Sequence, residues 1–390
     1  MKKRFKRRPV LPKPTADRAG GMLIMSTVAL FVILGFAALA VDIGFICLTK
    51  SRLQSAADAA TLSGGIELYD GWGLGAVATA NEVELASRAA AVQIAAAHSA
   101  GEIASVYADP DRDVALGRRV WDAEANEWTE TYGTAPFNLI KVTLIRGTQE
   151  SANGDRPLPL FFGNVLGKDS ANLTVISKVA FSTGVGFQTW TDQTANILPF
   201  AFDEPSWNDL LAGEGQDNYT FDPQTGEVTA GPDGIKEIDF FPYGNHELPP
   251  GNRGTLNFSG GGANALKRQI EFGLNEQDLA PYGGKLSLAN GPLQLSGKPG
   301  MNTSIKSALE TIIGKPRGIA IFNNVEGPGA NATYTIVKFA GIRILDLKLT
   351  GNPNSRYVTA QPAVFVDQTV ITSTLPLQQD SILGPLSLVP

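Results

Sequence analysis

Cysteine occurs once among the 390 residues of this chain, at Cys47, and histidine only twice, at His98 and His246. A single thiol excludes a disulfide framework within the chain, whatever its redox surroundings. His246-Glu247 begins like a zinc-protease helix, but Leu248-Pro249-Pro250 forbids the helix and no second imidazole follows at i+4. His98 closes an Ala-rich stretch, a place for a helix cap or for solvent. Charge is sparse as well, at 18% Asp, Glu, Lys and Arg, and it is unevenly spread. Residues 1–20 hold eight bases against Asp17, a local net of +7; with −6 overall, the remaining 370 residues carry −13. A body this acidic repels phosphate backbones, which argues against nucleic acid as a partner.

What is abundant is an apolar run. Met22 to Val41 is 20 residues without a charge, and at ~1.5 Å per residue a helix of that length crosses a hydrocarbon core of roughly 30 Å. All the bases precede it. The positive-inside rule therefore predicts a cytoplasmic N-terminus, residues 1–21, and an exported body after the span. A cleaved signal peptide is the competing reading, with Ala38-Leu39-Ala40 as cleavage site, but the run exceeds the usual h-region. Arg7-Arg8 lacks the context of a twin-Arg signal. A prepilin reading meets Ser26 where processed pilins carry Glu. The expected topology is a single-pass anchor over residues 22–48 in a bacterial inner membrane, with the lipid bilayer as its first partner.

Beyond Asp42 the helical pattern continues. Ala56, Ala60 and Gly64 recur every fourth residue, with Leu53 and Ala57 beside them and Arg52, Gln54 and Asp58 as polar positions. Such a small-residue stripe admits close backbone approach, either by a neighbouring helix or by a second copy of the chain. A second helix is expected between Val77 and Ser99, its apolar face running through Val83, Ala86, Ala90, Ile94 and Ala97, widened by Leu85, Ala89, Val92 and Ala96. Glu84 and Arg88 form a favourable i,i+4 pair. Two Ala-rich helices bury little apolar area, so the pair needs a third surface.

Ala40-Val41-Asp42-Ile43-Gly44, followed by Arg52-Leu53-Gln54-Ser55-Ala56-Ala57-Asp58-Ala59-Ala60-Thr61-Leu62-Ser63-Gly64-Gly65, resembles the N-terminal signature of TadG-like proteins of bacterial Tad (Flp) pilus systems. Asp113-Val114-Ala115-Leu116-Gly117, Phe137 to Val142, Pro157-Leu158-Pro159-Leu160-Phe161-Phe162 and Leu166-Gly167 are similar to the segment that follows in that family. The resemblance implies a role in building or anchoring an adhesive pilus, with other pilus-assembly or envelope proteins as partners. Asp42, Gly44, Arg52, Leu53, Gln54, Ala56, Ala57, Asp58, Ala59, Ala60 and Gly64 are then the motif and helix-packing positions. The Asp-x-Ser-x-Ser triplet of a von Willebrand A domain, found in some TadG proteins, is missing.

After the helices the pattern turns to strands at Val114–Trp121, Asn138–Arg146 and Asn172–Ser182, rich in β-branched residues. The 42 glycines and 24 prolines point the same way, to many turns. The predicted class is α+β: a transmembrane helix extending into a helical pair packed on an antiparallel sheet over 49–184, then a loop-rich connection over 185–250. A second β-rich domain over 251–374 and an extended tail over 375–390 complete the chain. Within that second domain, helices are expected at about 264–272 and 303–313, the latter capped by Asn302. A hairpin is expected around Ala340-Gly341 with a bulge near 344–345, and a further strand over Ala363–Thr372.

The chemical motifs break at decisive positions. Ser259-Gly260-Gly261-Gly262-Ala263-Asn264 precedes a helix, but Lys267-Arg268 misses phosphate-loop spacing. Asp109, Asp111 and Asp113 alternate as in a calcium loop, yet Val114 and Val120 occupy the positions where the template needs Gly and Glu. Weak extracellular calcium binding is the alternative to a carboxylate-rich turn there. Asp42 is expected to be a solvated anchor or a helix-partner contact. Five Asn-x-Ser/Thr sequons, beginning at Asn172, Asn218, Asn257, Asn302 and Asn331, carry no weight in a bacterial chain. The expectation is a structural or assembly component without metal or cofactor, and not an enzyme. An envelope hydrolase using paired carboxylates and a ligand-binding ectodomain are the alternatives; a deep cleft with converging acids would mark the first, a large apolar pocket the second.

Overall fold

The computed structural model describes residues 19–148, 151, 153–240, 253–258, 262–299, 303–327, 332–352 and 355–390. The basic foot, His246-Glu247, the 259–261 glycines and Asn302 lie outside the described residues. The fold is mixed α+β with a β-rich C-terminal region.

One helix, α1 (Ala19–Ile66, 48 residues), opens the structure and extends ~72 Å at the α-helical rise. It is the one helix among the described residues long and apolar enough to cross a membrane, and none of its most apolar stretch is buried in the rest of the chain. Beyond Asp42 the same helix becomes the spine of a folded body. A 3₁₀ turn (Glu67–Gly71) leads to α2 (Ala80–Ala96), which starts with a capping box. There the Thr79 hydroxyl accepts the Glu82 N–H while the Glu82 carboxylate accepts the Thr79 N–H.

The third surface is a sheet. Strands β1 (Val114–Asp122), β2 (Glu127–Tyr132) and β3 (Leu139–Arg146) pair antiparallel. A two-stranded ribbon, β4 (Leu158–Pro159) with β5 (Ser170–Ala171), separates them from β6 (Leu173–Ala180), which pairs with β3 along its whole length. Ile140, Val142 and Leu144 of β3 and Val175 and Val179 of β6 enter one buried cluster with Leu53, Ala56, Ala57 and Ala60 of α1. The three strands expected here therefore form.

The described residues of 184–260, read from the sequence as a loop-rich connection and the opening of the second domain, correct that reading by forming regular elements. They contain β7 (Gly184–Gln188), the wholly buried β8 (Ile197–Asp203), helix α3 (Glu204–Leu211), the hairpin β9 (Tyr219–Phe221) and β10 (Val228–Ala230), β11 (Ile238–Asp239) and β12 (Arg253–Leu256). Pro199 disguises β8, because a proline inside an apolar run counts against a central strand.

Then come α4 (Ala263–Phe272), α5 (Glu276–Leu279), β13 (Lys285–Ser287), β14 (Leu293–Pro299), α6 (Lys306–Glu310), β15 (Pro316–Glu326) and β16 (Ala332–Lys348). The pairings β16–β14–β12–β8–β15–β16 return to their starting strand and close a five-stranded ring, with β8 and β15 parallel. Alternate side chains of β8 and β15 enter two different clusters. Ala201, Ala320 and Phe322 join one with Leu256, Leu295 and Tyr334. Phe200, Phe202, Ile319 and Ile321 join the other, with α3, α4 and α6.

The expected hairpin at Ala340-Gly341 is also corrected: β16 runs through it as a single strand of 17 residues. Gly341 is required for close packing instead of a turn, since a Cβ there would sit 2.3 Å from the Ala363 carbonyl oxygen. The bulge expected near 344–345 is present, as a register shift between Ile344 and Asp346 against β17 (Tyr357–Pro362). The strand expected over Ala363–Thr372 shrinks to β18 (Val370–Thr372), beside β7. The helix expected at 303–313 shortens to a 3₁₀ turn plus α6.

The tail crosses between the clusters and ends as β19 (Ser387–Leu388), antiparallel to β6. Asp380 accepts hydrogen bonds from Trp207 Nε1 (2.8 Å) and Lys338 Nζ (2.7 Å) in the ring half. Leu383 lies in the cluster of α1, and Ile382 in the ring cluster.

Candidate functional site

The motif positions, from Asp42 to Gly64, spread over about six turns of α1 and meet different environments. Leu53, Ala56, Ala57 and Ala60 are completely buried, and Ala59 is half-buried. Gly64 marks the closest approach: a Cβ on it would lie 2.6 Å from Ile140 Cδ1 on β3 and 2.7 Å from the Ser87 carbonyl oxygen on α2. Small residues let α1 sink between α2 and the sheet, which is the packing reason for the every-fourth stripe. The stripe is thereby filled within the chain, so self-association through it is corrected: α2 and β3 occupy the face a second copy would need. Gln54 leaves the stripe to donate to Asp58 Oδ1 (2.9 Å) and the Ile176 carbonyl (3.2 Å), tying α1 to β6. Arg52 is exposed. Gly44 is open too, with nothing near the place of its Cβ.

The buried face of α2 is rotated from the expected one. Val83, Ser87, Ala91 and Ala95 point inward, while Leu85, Ala89 and Ala96 are exposed. Hydrophobicity alone favours Leu85, but the tight helix pair selects the smallest side chains, and Ser87 outcompetes leucine there. The Glu84–Arg88 pair forms at 2.7 Å, and His98 Nδ1 lies 2.8 Å from the Ile94 carbonyl, within its own helix end.

Asp42 is the most informative position. It is 5% exposed although it sits on the stretch of α1 where its neighbours Val41, Ile43 and Gly44 are exposed. Its Oδ1 accepts the Phe161 N–H at 2.9 Å and its Oδ2 accepts the Phe162 N–H at 3.0 Å. Phe161 also stacks obliquely on Phe45, with ring centroids 5.0 Å apart. The acid is therefore a helix-partner contact, holding the tip of the β4–β5 ribbon against α1. A carboxylate with two backbone donors is a charge-assisted clamp.

Arg146, at the end of β3, supports the root of that ribbon. Its side chain is buried, donates to the carbonyls of Arg156 (2.8 Å) and Ala100 (2.9 Å), and pairs with Glu102. The sequence flagged Arg146 only as a strand terminus. Its interior position, at an even step from Val142 and Leu144, was the available signal.

At the far end of α1, aromatic side chains grip the tail. Tyr69 stacks on Phe181 and donates its hydroxyl to the Gly384 carbonyl at 2.9 Å, while Trp72 Nε1 donates to the Gln378 carbonyl. Burial pushes the Tyr69 phenol well above its usual range.

The Asp109–Asp113 turn spends its carboxylates on protein donors. Asp109 Oδ1 accepts the N–H groups of Arg112 and Asp111, which hold its carboxyl below the usual range. Asp113 and Asp155 both pair with Arg112. No group of three or more potential metal ligands occurs among the described residues. An apolar pocket of about 280 Å³ is lined by Leu68, Gly71, Ala80, Val83, Ala135, Pro136 and Phe137. A smaller one lies beside Arg118, Arg119, Trp121 and Trp128. Neither lining contains a carboxylate.

Residues 20–80 match the Tad family model, described as "Putative Flp pilus-assembly TadE/G-like". The matched span covers α1 from its second residue, the 3₁₀ turn and the first residue of α2, and so takes in every motif position from Asp42 to Gly64. No curated protein and no solved structure matches the chain. The match supports a pilus-related role, and with the apolar helix it fits a single-pass membrane protein.

Proposed function

We propose that this chain is a membrane-anchored structural component of a Tad-type pilus or adhesion apparatus, acting through protein contacts and not through catalysis. The observation that supports it best is the division of labour along α1. Its first half is apolar and unburied by the rest of the chain, its second half is the spine of a folded body, and the Tad match spans both. A helix that is continuous across that boundary transmits position and load from the lipid directly into the sheet, as an anchored assembly factor requires.

In this reading the basic foot faces the cytoplasm of an inner membrane and the acidic body is exported. Its division into a helix-on-sheet unit at residues 49–184 and a second β-rich unit at 251–374, whose ring takes β8 from the 185–250 stretch, is part of the proposal. The exposed surfaces of both units are the docking faces for other envelope proteins.

Deleting the gene, then counting pili by electron microscopy and measuring surface attachment, tests the reading. Loss of piliation or attachment, restored by the full chain but not by one with residues 22–41 removed, is the expected result. Unchanged piliation and attachment would refute it. A C-terminal alkaline phosphatase fusion reports orientation, and an inactive fusion at normal abundance would refute export.

A further inference from the structure

The ribbon clamped by Asp42 carries apolar side chains outward. Phe161 is 64% exposed, Phe162 45% and Val165 85%, all within five residues of one loop. This tip is held in place: Val165 N–H reaches the Phe162 carbonyl, Lys168 N–H the Gly163 carbonyl and Leu160 N–H the Asp169 carbonyl. Gly163 is required by the tight turn, since a Cβ would meet the Lys168 carbonyl oxygen. An ordered loop that presents two phenylalanines and a valine to solvent needs an occupant for that surface.

We infer that the Phe161–Val165 tip inserts into the outer boundary of the same bilayer that α1 crosses, so that the chain holds lipid at two points. Three observations place lipid there. The tip is continuous with the span, because its amides bond Asp42 and Phe161 packs on Phe45. Asp42 turns its charge into the ribbon, and the next charge on α1 is Lys50. The uncharged outer surface of α1 thus runs on through Ile43, Cys47 and Leu48, all exposed. Met22 to Thr49 would measure ~42 Å as a helix, more than the ~30 Å hydrocarbon core, so the level of residues 42–48 falls in the interfacial layer. Finally, exposed Lys168 follows the tip and exposed Arg156 precedes β4 at the ribbon's root, both suited to lipid phosphates, and Asp169 is the one acid between residues 156 and 169.

The inference rests on the anchored reading above, and the experiment separates the two. The full chain carrying Cys47→Ser is reconstituted in phosphatidylethanolamine–phosphatidylglycerol vesicles. A nitroxide is placed in turn at Val165→Cys, at Phe31→Cys in the span, and at Thr225→Cys in the exposed β9–β10 turn. Accessibility to oxygen, which concentrates in lipid, is compared with accessibility to a water-soluble nickel chelate. Position 165 is expected to favour oxygen, as position 31 does, while position 225 favours nickel. A nickel-accessible label at 165 with an oxygen-accessible label at 31 would overturn the insertion and leave the anchor standing. Nickel accessibility at both would overturn both. A label at 165 shielded from both reagents would place a second protein copy on the tip and also refute lipid contact. Val165 is 85% exposed and belongs to no buried cluster, so the label itself does not threaten folding.

Discussion

Replacing Asp42 with alanine removes the acceptor for two backbone N–H groups, those of Phe161 and Phe162, at 2.9 and 3.0 Å. A hydrogen bond to a charged partner contributes ~1.5–3 kcal/mol, and an amide left without a partner in a buried setting costs more than one returned to water. Because the neighbouring phenylalanines are exposed, both amides can regain water once the loop opens, so the lower end of the range applies to each. The loss is then about 3 kcal/mol in the free energy of opening the loop, equivalent to roughly a hundredfold change in the opening equilibrium. Amide hydrogen exchange of the full chain in lipid nanodiscs, read at Phe161 and Phe162, measures this directly. The Asp42→Ala variant should exchange about a hundredfold faster at these two amides, while Val142 and Leu144 in β3 keep their protection. Asp42→Asn, which retains one carbonyl acceptor, should fall between. Equal exchange in wild type and Asp42→Ala would refute the clamp, and with it the explanation for a buried acid on an otherwise exposed stretch of α1.

Gly64 and Gly44 belong to the same sequence motif but should respond in opposite ways. Gly64→Ala forces a Cβ against Ile140 and the Ser87 carbonyl and should cost ~1–3 kcal/mol, whereas Gly44→Ala meets nothing and should be neutral or gain up to ~1 kcal/mol from helix propensity; thermal unfolding in detergent ranks them. Tyr69→Phe removes the hydrogen bond to Gly384 and should cost ~1 kcal/mol, with proteolysis of the tail accelerated before global unfolding. Stability should also pass through a maximum at mildly acidic pH. Burial raises the carboxyls of Glu67, Asp70 and Glu237, so their contribution is present at low pH and lost as pH rises through those raised values. Glu82 and Asp109 are lowered by hydrogen bonds from Thr79 and from the Arg112 and Asp111 amides, and Asp346 by the hydroxyls of Tyr357 and Tyr219 against the opposing effect of burial. Their contribution is present above about pH 4.5 and lost as pH falls through the lowered values. Unfolding temperatures that rise steadily from pH 5 down to pH 3 would contradict the second set.

The local signals that survived folding are those governed by short-range physics. The apolar run, the Ala56–Ala60–Gly64 stripe, the Glu84–Arg88 pair and the β-branched strand at Asn138–Arg146 each depend on neighbours within a few residues, and each is found where the sequence places it. The failures share another cause. β8 was hidden by Pro199 and by being buried on both faces, which removes the alternation that announces a strand. Gly341 was read as a turn because nothing local reveals that Ala363 and Phe365 press against it. On α2, Leu85 was assigned inward because local hydrophobicity does not report how little room α1 leaves.

Chain order and composition by themselves determined that a charge-free helix long enough for a bilayer stands at the head of the chain, that small residues line its continuation, and that a β-rich body follows. Tertiary structure alone decided what that helix serves. It brings Asp42 within hydrogen-bonding distance of amides some 120 positions later, fills the small-residue stripe with α2 and β3, and threads the tail back to β6. The reason is that periodicity names a face but not its occupant: which surface covers α1 depends on contacts between segments far apart in the chain, and those exist only once the sheet has formed.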